Sequence, residues 1–134
     1  MASVEYEEGW KVKRLPDSEL ELMMIIWNHD HAISRKEIEE HIGAEKKWTA
    51  TTILSFLTRL VEKGFIEVEK RGKINYYTAL VKEQDYMNKE SKSILEKMYN
   101  NSIKNFITAL YDGNNLSDKD ITELQTFINE KRNS

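Results

Sequence analysis

The clearest hydrophobic pattern in the chain lies between Thr49 and Gly64. Its apolar positions recur at i, i+3, i+4 and i+7, the period of a helix with one buried stripe: Ile53, Phe56, Leu57 and Leu60. Thr49 is placed to cap the start of this helix, and Gly64 stands where a left-handed residue often ends one. The pattern therefore predicts a helix that packs through a single face.

The opposite face of this helix is unusual for a surface exposed to solvent. It carries Thr51, Thr52, Ser55 and Arg59, although β-branched Thr loses rotamer freedom in a helix and is uncommon there. Short hydroxyls and an Arg allow a helix to approach the major groove of DNA and to bond base edges or phosphates. This face is therefore a candidate DNA-reading surface. The alternative is a Thr-rich solvent face that has no partner.

The segment after Gly64 predicts a β-hairpin. Two β-prone runs, Phe65–Lys70 and Ile74–Leu80, flank a turn that contains Gly72. The tip is basic, and a helix-turn-helix followed by a basic hairpin is a winged helix, whose wing can follow the phosphate backbone. Together with residues on and just before the Thr-rich helix, the candidate DNA-binding residues are Lys47, Thr49, Thr51, Thr52, Ser55, Arg59, Lys70, Arg71 and Lys73.

Two further helices are predicted before the Thr-rich helix. The first runs from Leu15 to His29, with Asp17 or Ser18 as its cap. Its expected apolar stripe is Leu20, Met23, Met24 and Trp27, widened by Leu22, Ile25 and Ile26, with Trp27 in the core. The second opens with a capping box formed by Ser34 and Glu37 and is expected to end at Gly43. Between these helices, Ala32 and Ile33 could add a short strand to the wing.

The segment after residue 82 predicts amphipathic helices and no strand. Breaks are expected at Asn100–Ser102 and at Asp112–Asn115, and Ser117 with Asp120 forms a second capping signal. A core of this size is marginal alone, so a second copy of the chain is expected to cover it. The alternative is that the tail folds back on its own winged helix. The candidate dimerisation residues are Ile94, Leu95, Met98, Phe106, Ile107, Leu110, Ile121, Leu124, Phe127 and Ile128.

The predicted fold is mainly α with a small β-hairpin: a winged helix-turn-helix domain followed by a helical dimerisation domain. Residues 1–13 are expected to form a flexible N-terminal arm, residues 14–81 the winged-helix DNA-binding domain, and residues 82–134 the dimerisation domain. At 134 residues the chain has room for this arrangement and little more.

Charge is distributed unevenly along the chain. The formal net charge is -3, yet Lys46 to Lys73 contains seven cations and three anions, a local balance of +4. Global acidity limits nonspecific adhesion, while a local basic patch can still contact phosphate.

The absence of Cys excludes disulfides and cysteine metal sites. No apolar run approaches the roughly 18 residues of a membrane span and no signal-peptide core is present, so we expect a cytoplasmic protein without membrane insertion.

Metal binding and catalysis are both disfavoured by the sequence. His29 and His31 lie two residues apart in a polar turn, but a zinc site needs three or four clustered ligands, and His41 is not expected nearby. We therefore expect no metal and no cofactor. No nucleophile–base pair, P-loop, dinucleotide fingerprint or zinc-protease motif is present, so we expect that the protein is not an enzyme.

Several segments, in this order, resemble the penicillinase-repressor family (BlaI/MecI/CopY type) of winged-helix transcriptional repressors. They are Leu15–Met23 with Ile26-Trp27, Trp48–Ile53 running into Leu57–Gly64, Arg71–Lys73 with Tyr76-Tyr77, and Leu116-Ser117 with Glu123-Leu124. The resemblance extends from about Leu15 to Lys131. It implies a dimeric bacterial repressor of a pseudo-palindromic operator built on TACA and TGTA boxes, with Thr51, Thr52, Ser55 and Arg59 reading the half-site and the wing contacting the backbone.

The resemblance also implies a role in β-lactam resistance or a related stress response. In several members a membrane sensor triggers proteolytic cleavage in the C-terminal region, and dimerisation and repression are lost together. The copper-responsive branch carries a Cys-containing motif, which this chain lacks. The candidate cleavage region is Asn105-Phe106, which matches the family's bond by residue type, or Ala109-Leu110, which matches it by position. A sensor-linked protease is therefore an expected partner beside operator DNA and a second copy.

Two other functions remain open at the level of the sequence. A winged-helix regulator that senses a small molecule would need a pocket, and no convergent set of polar residues predicts one. A winged helix that binds only proteins would lack a cationic wing tip, which this chain has.

Overall fold

A computed structural model of the chain describes residues 14–43 and 46–134. Its elements are α1 (Asp17–Trp27), β1 (Ile33–Ser34), α2 (Arg35–Glu40), α3 (Ala50–Glu62), β2 (Ile66–Arg71), β3 (Ile74–Ala79), α4 (Glu83–Tyr99), α5 (Ile103–Asp112) and α6 (Asp118–Arg132). The predicted mainly helical fold with a small β-hairpin is confirmed. The predicted flexible arm, residues 1–13, lies outside the described residues. The chain divides into two compact units, one ending at Asn88 and the other spanning Lys89–Ser134.

The first unit has a well-formed apolar core. The buried apolar residues come from α1, α2, α3, the sheet, the connecting segments and the first turn of α4: Leu15, Leu22, Met23, Ile26, Ile33, Ile38, Ile53, Leu57, Leu60, Phe65, Ile66, Tyr77, Val81 and Tyr86. Trp27 packs against this cluster as predicted and donates its indole N–H to the carbonyl of Val81 over 2.8 Å. The Tyr86 hydroxyl accepts the N–H of Leu15 over 3.0 Å. The start of α4 therefore completes the core of the winged helix.

The sheet is antiparallel, with the strand order β1-β3-β2. Tyr77 on the central strand faces Ile33 on one side and Val68 on the other. The short strand predicted at Ala32-Ile33 is confirmed one residue later. Between β2 and β3, Gly72 has a φ of +67° and Lys73 is not in the left-handed region, the pattern of a type II′ hairpin turn, which requires Gly at its first central position.

Side-chain caps fix the starts of several helices where the sequence predicted them. Ser34 accepts the N–H of Glu37, and Glu37 in turn accepts the N–H of Ser34 over 2.8 Å. The backbone N–H of Ser34 thereby lowers the pKa of Glu37. Thr49 caps α3, and Ser117 with Asp120 forms a second capping box at α6. These short-range hydrogen bonds satisfy backbone donors that a helix start leaves open.

The first two helices differ from their predictions. Neither Asp17 nor Ser18 caps α1; the helix begins after Pro16, whose extended backbone leads into it without a side-chain cap. Met24, predicted in the apolar stripe, is 43% exposed, while Glu19 is buried on the inner face. The predicted stripe is therefore wrong at Met24, and it omits Glu19, whose burial depends on two cations far along the chain, Arg59 and Lys63.

The end of α2 was also predicted too late. The helix ends at Glu40 rather than Gly43, with His41 as its C-cap. The N–H groups of His41 and Ile42 bond to the carbonyls of Ile38 and Glu39, which tightens the last turn. Such i to i−3 bonds close a helix without a left-handed glycine.

The helices of the second unit are separated by residues with positive φ. Asn100 and Asn101 have φ angles of 51° and 65° between α4 and α5, and Asn114 has a φ of 60° before α6. The interruption and the turn predicted in this tail are confirmed. Within the described chain, neither α5 nor α6 buries a residue. Caps and turns therefore set the limits of α5 and α6, and neither helix packs into a core within the described chain.

We predict that replacing Ser34 with Ala lowers the free energy of unfolding by about 1 kcal/mol, because the change removes a formed helix cap. Ser18→Ala is the matched control, since Ser18 caps nothing in α1; it should change the unfolding free energy by less than about 0.5 kcal/mol. Urea denaturation followed by circular dichroism measures both. A larger loss for Ser18→Ala than for Ser34→Ala would contradict the assignment of the caps.

Candidate nucleic-acid interface

The surface of α3 is divided between a buried stripe and an exposed polar face. Ile53, Leu57 and Leu60 are buried, and α3 packs against α1 and α2. Phe56, predicted to point fully inward, is only half-buried. The exposed side chains on and beside the outer face are Thr51, Leu54, Ser55, Thr58, Arg59 and Glu62. Thr52, predicted on the exposed face, is also half-buried, so the division predicted from the helical period is confirmed apart from Phe56 and Thr52.

The hydroxyls near this helix differ in what they bind. Thr49 Oγ1 accepts the N–H of Thr52 and lies 3.1 Å from the Thr52 hydroxyl, so both groups are engaged at the helix start. Thr58 donates to the carbonyl of Leu54 over 2.9 Å. Within the described part of the chain, the hydroxyls of Thr51 and Ser55 have no hydrogen-bond partner. These two exposed groups are free to bond an external molecule.

Leu54 is an apolar member of this face that the sequence interpretation missed. It is 42% exposed and lies one turn from Thr51 and Thr58. The signal was available in the helical period, because the position i+3 from Thr51 falls on the same side of the helix. An exposed Leu among short hydroxyls adds an apolar contact of the kind that meets a thymine methyl group.

Arg59 projects from one edge of the face and lies beside two neighbours, an aromatic ring and a carboxylate. Its guanidinium carbon lies 5.8 Å from the centre of the Phe56 ring, and Nη1 lies 3.9 Å from Oε2 of Glu19. Lys63, the C-cap residue that follows α3, forms an ion pair with the other carboxylate oxygen of Glu19. The Arg59 side chain remains 53% exposed. The carboxylate partner of these cations was not predicted from the sequence.

The segment that enters α3 is held by an ion pair to α1 and by an aromatic contact with α3. Lys46 Nζ lies 3.3 Å from Oε1 of Glu21 and 5.4 Å from the centre of the Trp48 ring. Trp48 in turn meets Phe56 edge-on, with their ring centres 5.1 Å apart. Lys47, a predicted phosphate contact, is exposed beside this cluster. The start of the helix is therefore held in a defined position.

The wing places its three predicted cations at the solvent-exposed tip. Arg71 donates to Glu69 over 3.0 Å, which raises the pKa of Arg71, and its guanidinium carbon lies 4.7 Å from the Tyr76 ring centre. Lys70 and Lys73 are exposed and form no ion pair within the described residues. These two lysines are therefore the freer charges of the wing.

The predicted dimerisation residues all lie on helices of the second unit, and none is buried. Half-buried positions are Ile94, Leu95, Phe106, Ile107, Leu110 and Leu124, and exposed positions are Met98, Ile121, Phe127 and Ile128. The candidate cleavage residues lie inside α5, with Asn105 and Ala109 exposed and Phe106 and Leu110 half-buried.

The three histidines form a group that the sequence interpretation did not predict. The His29 ring centre lies 4.9 Å from that of His41 and 5.5 Å from that of His31. The expectation that His41 lies elsewhere is wrong, because the turn after α1 brings the end of α2 beside it. Across residues 14–43 and 46–134, no group of three or more His, Cys, Asp or Glu side chains is arranged to hold a metal ion.

In the same residues, no helix combines the length and apolar character needed to cross a membrane.

Comparison with known proteins identifies the family. The sequence profile of the family described as "Penicillinase repressor" matches residues 15–130. The penicillinase repressor of Bacillus licheniformis is 31% identical over 123 residues, covering 92% of this chain and 95% of the relative. The methicillin resistance regulatory protein MecI of Staphylococcus aureus (strain N315) is 36% identical over 121 residues, covering 90% and 98%.

A solved structure is similar to the first unit in fold. The solution structure of the DNA binding domain of the repressor BlaI matches with a TM-score of 0.50 and 34% identity, covering 57% of this chain and 92% of that chain. That likeness agrees with the winged-helix arrangement of α1 to β3. The chain belongs to the penicillinase repressor family.

Proposed function

We propose that the protein is a dimeric transcriptional repressor whose α3 enters the major groove of double-stranded operator DNA. The observation that carries this proposal is the exposed face of α3, where Thr51 and Ser55 present free hydroxyls beside Leu54 and Arg59. Its support comes from the family, described as penicillinase repressors, from a relative named as a penicillinase repressor and another named as a methicillin resistance regulatory protein, and from the likeness to the DNA binding domain of BlaI.

The proposed contacts follow from the chemistry of each side chain. The hydroxyls of Thr51 and Ser55 bond base edges or phosphates, and Leu54 contacts a thymine methyl group. The Arg59 guanidinium is a planar donor that suits guanine O6 and N7 or a phosphate. Lys47 and the first N–H groups of α3 provide positive potential for the phosphate at the groove edge.

The wing is proposed to follow the backbone beside the helix. Lys70 and Lys73 contribute sequence-independent attraction to phosphate, and Arg71 contributes less because it already binds Glu69. Such contacts set the orientation of the protein on the duplex, while α3 selects the sequence.

We propose that a second copy of the chain covers the apolar residues of the tail. Four apolar side chains of the tail are exposed, and leaving them in water is costly: Met98, Ile121, Phe127 and Ile128. A symmetric dimer would bury them against the same surface of the second copy. Two linked winged helices would bind the two halves of a pseudo-palindromic operator of the TACA/TGTA type. Linking raises the effective concentration at the second half-site and strengthens binding without further contacts.

The regulated genes are proposed to serve β-lactam resistance or a related stress response, in line with the relatives' names. Relief by a sensor-linked protease would require cleavage near Asn105-Phe106 or Ala109-Leu110. Both bonds lie within helix α5, so a protease that binds extended chain must first act on a locally unfolded α5. Loss of the tail would then halve the DNA-binding unit and release the operator.

We predict that Arg59→Ala weakens binding to a duplex carrying inverted TACA and TGTA boxes by about 1–3 kcal/mol, because a close polar contact is lost. Gel-shift titration measures the midpoint, and Arg132→Ala, which removes the same group from the end of α6, should leave the midpoint unchanged. Equal midpoints for wild type and Arg59→Ala would remove this residue from the site.

We predict that the double change Lys70→Gln and Lys73→Gln lowers affinity for all duplex sequences by similar factors. It should flatten the slope of log affinity against log salt by up to about 1.8, since each phosphate contact contributes about 0.9. Lys104→Gln with Lys119→Gln is the charge-matched control on the tail. If both pairs change the slope equally, the wing does not contact phosphate.

We predict that Phe127→Asp converts the protein to a monomer and lowers operator affinity at least about a hundredfold, because the gain from linked half-sites disappears. Thr126→Asp adds the same charge on the side of α6 that faces away from Leu124 and Ile128, and should leave the dimer intact. Sedimentation velocity gives the oligomeric state. A Phe127→Asp protein that sediments with wild type as a dimer would contradict the proposed interface.

A further inference from the structure

The buried carboxylate of Glu19 suggests a further role in DNA recognition. We propose that Glu19 is a positioning residue: it fixes the Arg59 guanidinium for base reading and reduces the sequence-independent attraction of α3 for DNA. This inference rests on the proposed function and deepens it, because it assigns part of the sequence discrimination to a side chain that touches no DNA.

Glu19 bridges the first turn of α1 and the last turns of α3. Its side chain is 2% exposed, and its two oxygens face different cations, one in the last turn of α3 and one at its C-cap. Lys63 pairs with Oε1, and Arg59 Nη1 lies 3.9 Å from Oε2. Because a carboxylate is costly to bury without compensation, these two cations are the physical reason that Glu19 can occupy the core side of α1.

The same contact constrains Arg59. Arg59 and Lys63 are four residues apart on one helix, so without an anion between them their like charges repel. Glu19 lies 3.9 Å from one guanidinium nitrogen and the Phe56 ring lies against its face, while about half of the side chain stays exposed. A guanidinium held in advance loses less conformational freedom on binding than one free in solvent. The contact therefore favours bonds that need a defined direction, as bonds to base edges do.

The negative charge of Glu19 is expected to lower the affinity for nonspecific DNA. It offsets one of the two positive charges that Arg59 and Lys63 bring to this end of α3. Attraction to phosphate rises with uncompensated cations whatever the sequence. A neutral residue at position 19 is therefore expected to keep or raise nonspecific affinity while specific affinity falls.

The test compares two duplexes of equal length, one with inverted TACA and TGTA boxes and one scrambled. The readout is the ratio of the two affinities, which does not depend on the folded fraction because partial unfolding lowers both affinities equally. Glu19→Gln should lower this ratio about tenfold, on the order of one lost base contact. Asp17→Asn removes the same charge from the first turn of the same helix, at an exposed residue that forms no ion pair within the described residues, and should leave the ratio within about twofold.

Two further variants test whether Glu19 acts through Arg59. In an Arg59→Ala background, Glu19→Gln should change the ratio no further, since the group that it positions is absent. Glu19→Asp keeps a negative charge beside Lys63, so the fold is expected to be retained even if the Gln variant unfolds. Its shorter side chain withdraws the carboxylate from Arg59, and the ratio should fall by a smaller factor.

Each outcome supports or overturns the proposal. If Glu19→Gln weakens both duplexes equally, or if the Asp and Gln variants keep the wild-type ratio, Glu19 has only a structural role and the inference is wrong while the proposed function stands. If wild type itself fails to distinguish the two duplexes, operator reading and the inference fall together.

Discussion

The packing of α3 against α1 and α2 is the constraint on which the rest of the winged helix depends. Burying each of Ile53, Leu57 and Leu60 stabilises the fold by about 1.5–3 kcal/mol, which is enough to fix the rotation of the helix about its axis. That rotation decides which residues face outward. The exposed hydroxyl face is therefore a consequence of the buried stripe, and a slip of one residue would turn Ser55 toward the core.

The second unit is built on a different principle. Its helices begin at strong caps and are separated by asparagines with positive φ, but α5 and α6 bury no residue within the described chain. Caps set where a helix begins and contribute about 1 kcal/mol each, which does not replace a core. The stability of this unit is therefore expected to come from association, which would couple repression to the oligomeric state.

Features that depend on neighbours in the sequence were predictable. The caps at Ser34, Thr49 and Ser117 and the left-handed Gly64 and Gly72 each require only a few adjacent residues, and all are present. Of the candidate site, the outward position of Thr51, Ser55 and Arg59 followed from the helical period. The DNA contacts themselves, the dimer and the cleavage region stay predictions.

Features that depend on distant residues were not predictable from local patterns. Glu19 can lie on the buried face of α1 because it pairs with Lys63, which is 44 positions away in the sequence. No local pattern predicts a carboxylate in a core. The exposure of Met24 follows from the same rotation of α1. His41 meets His29 because of how α2 folds back after the turn, which spacing along the chain does not indicate.

Because the chain contains no Cys, a single introduced thiol can carry a probe to one chosen point. The most direct measurement attaches an iron chelate to a Ser55→Cys variant and maps hydroxyl-radical cleavage on a duplex with inverted TACA and TGTA boxes. Cleavage confined to the major-groove edge of both boxes, and absent when the chelate is attached to a Thr126→Cys variant, is the predicted result. Cleavage that is uniform along the duplex, or no stronger from position 55 than from position 126, would contradict the placement of α3 in the groove.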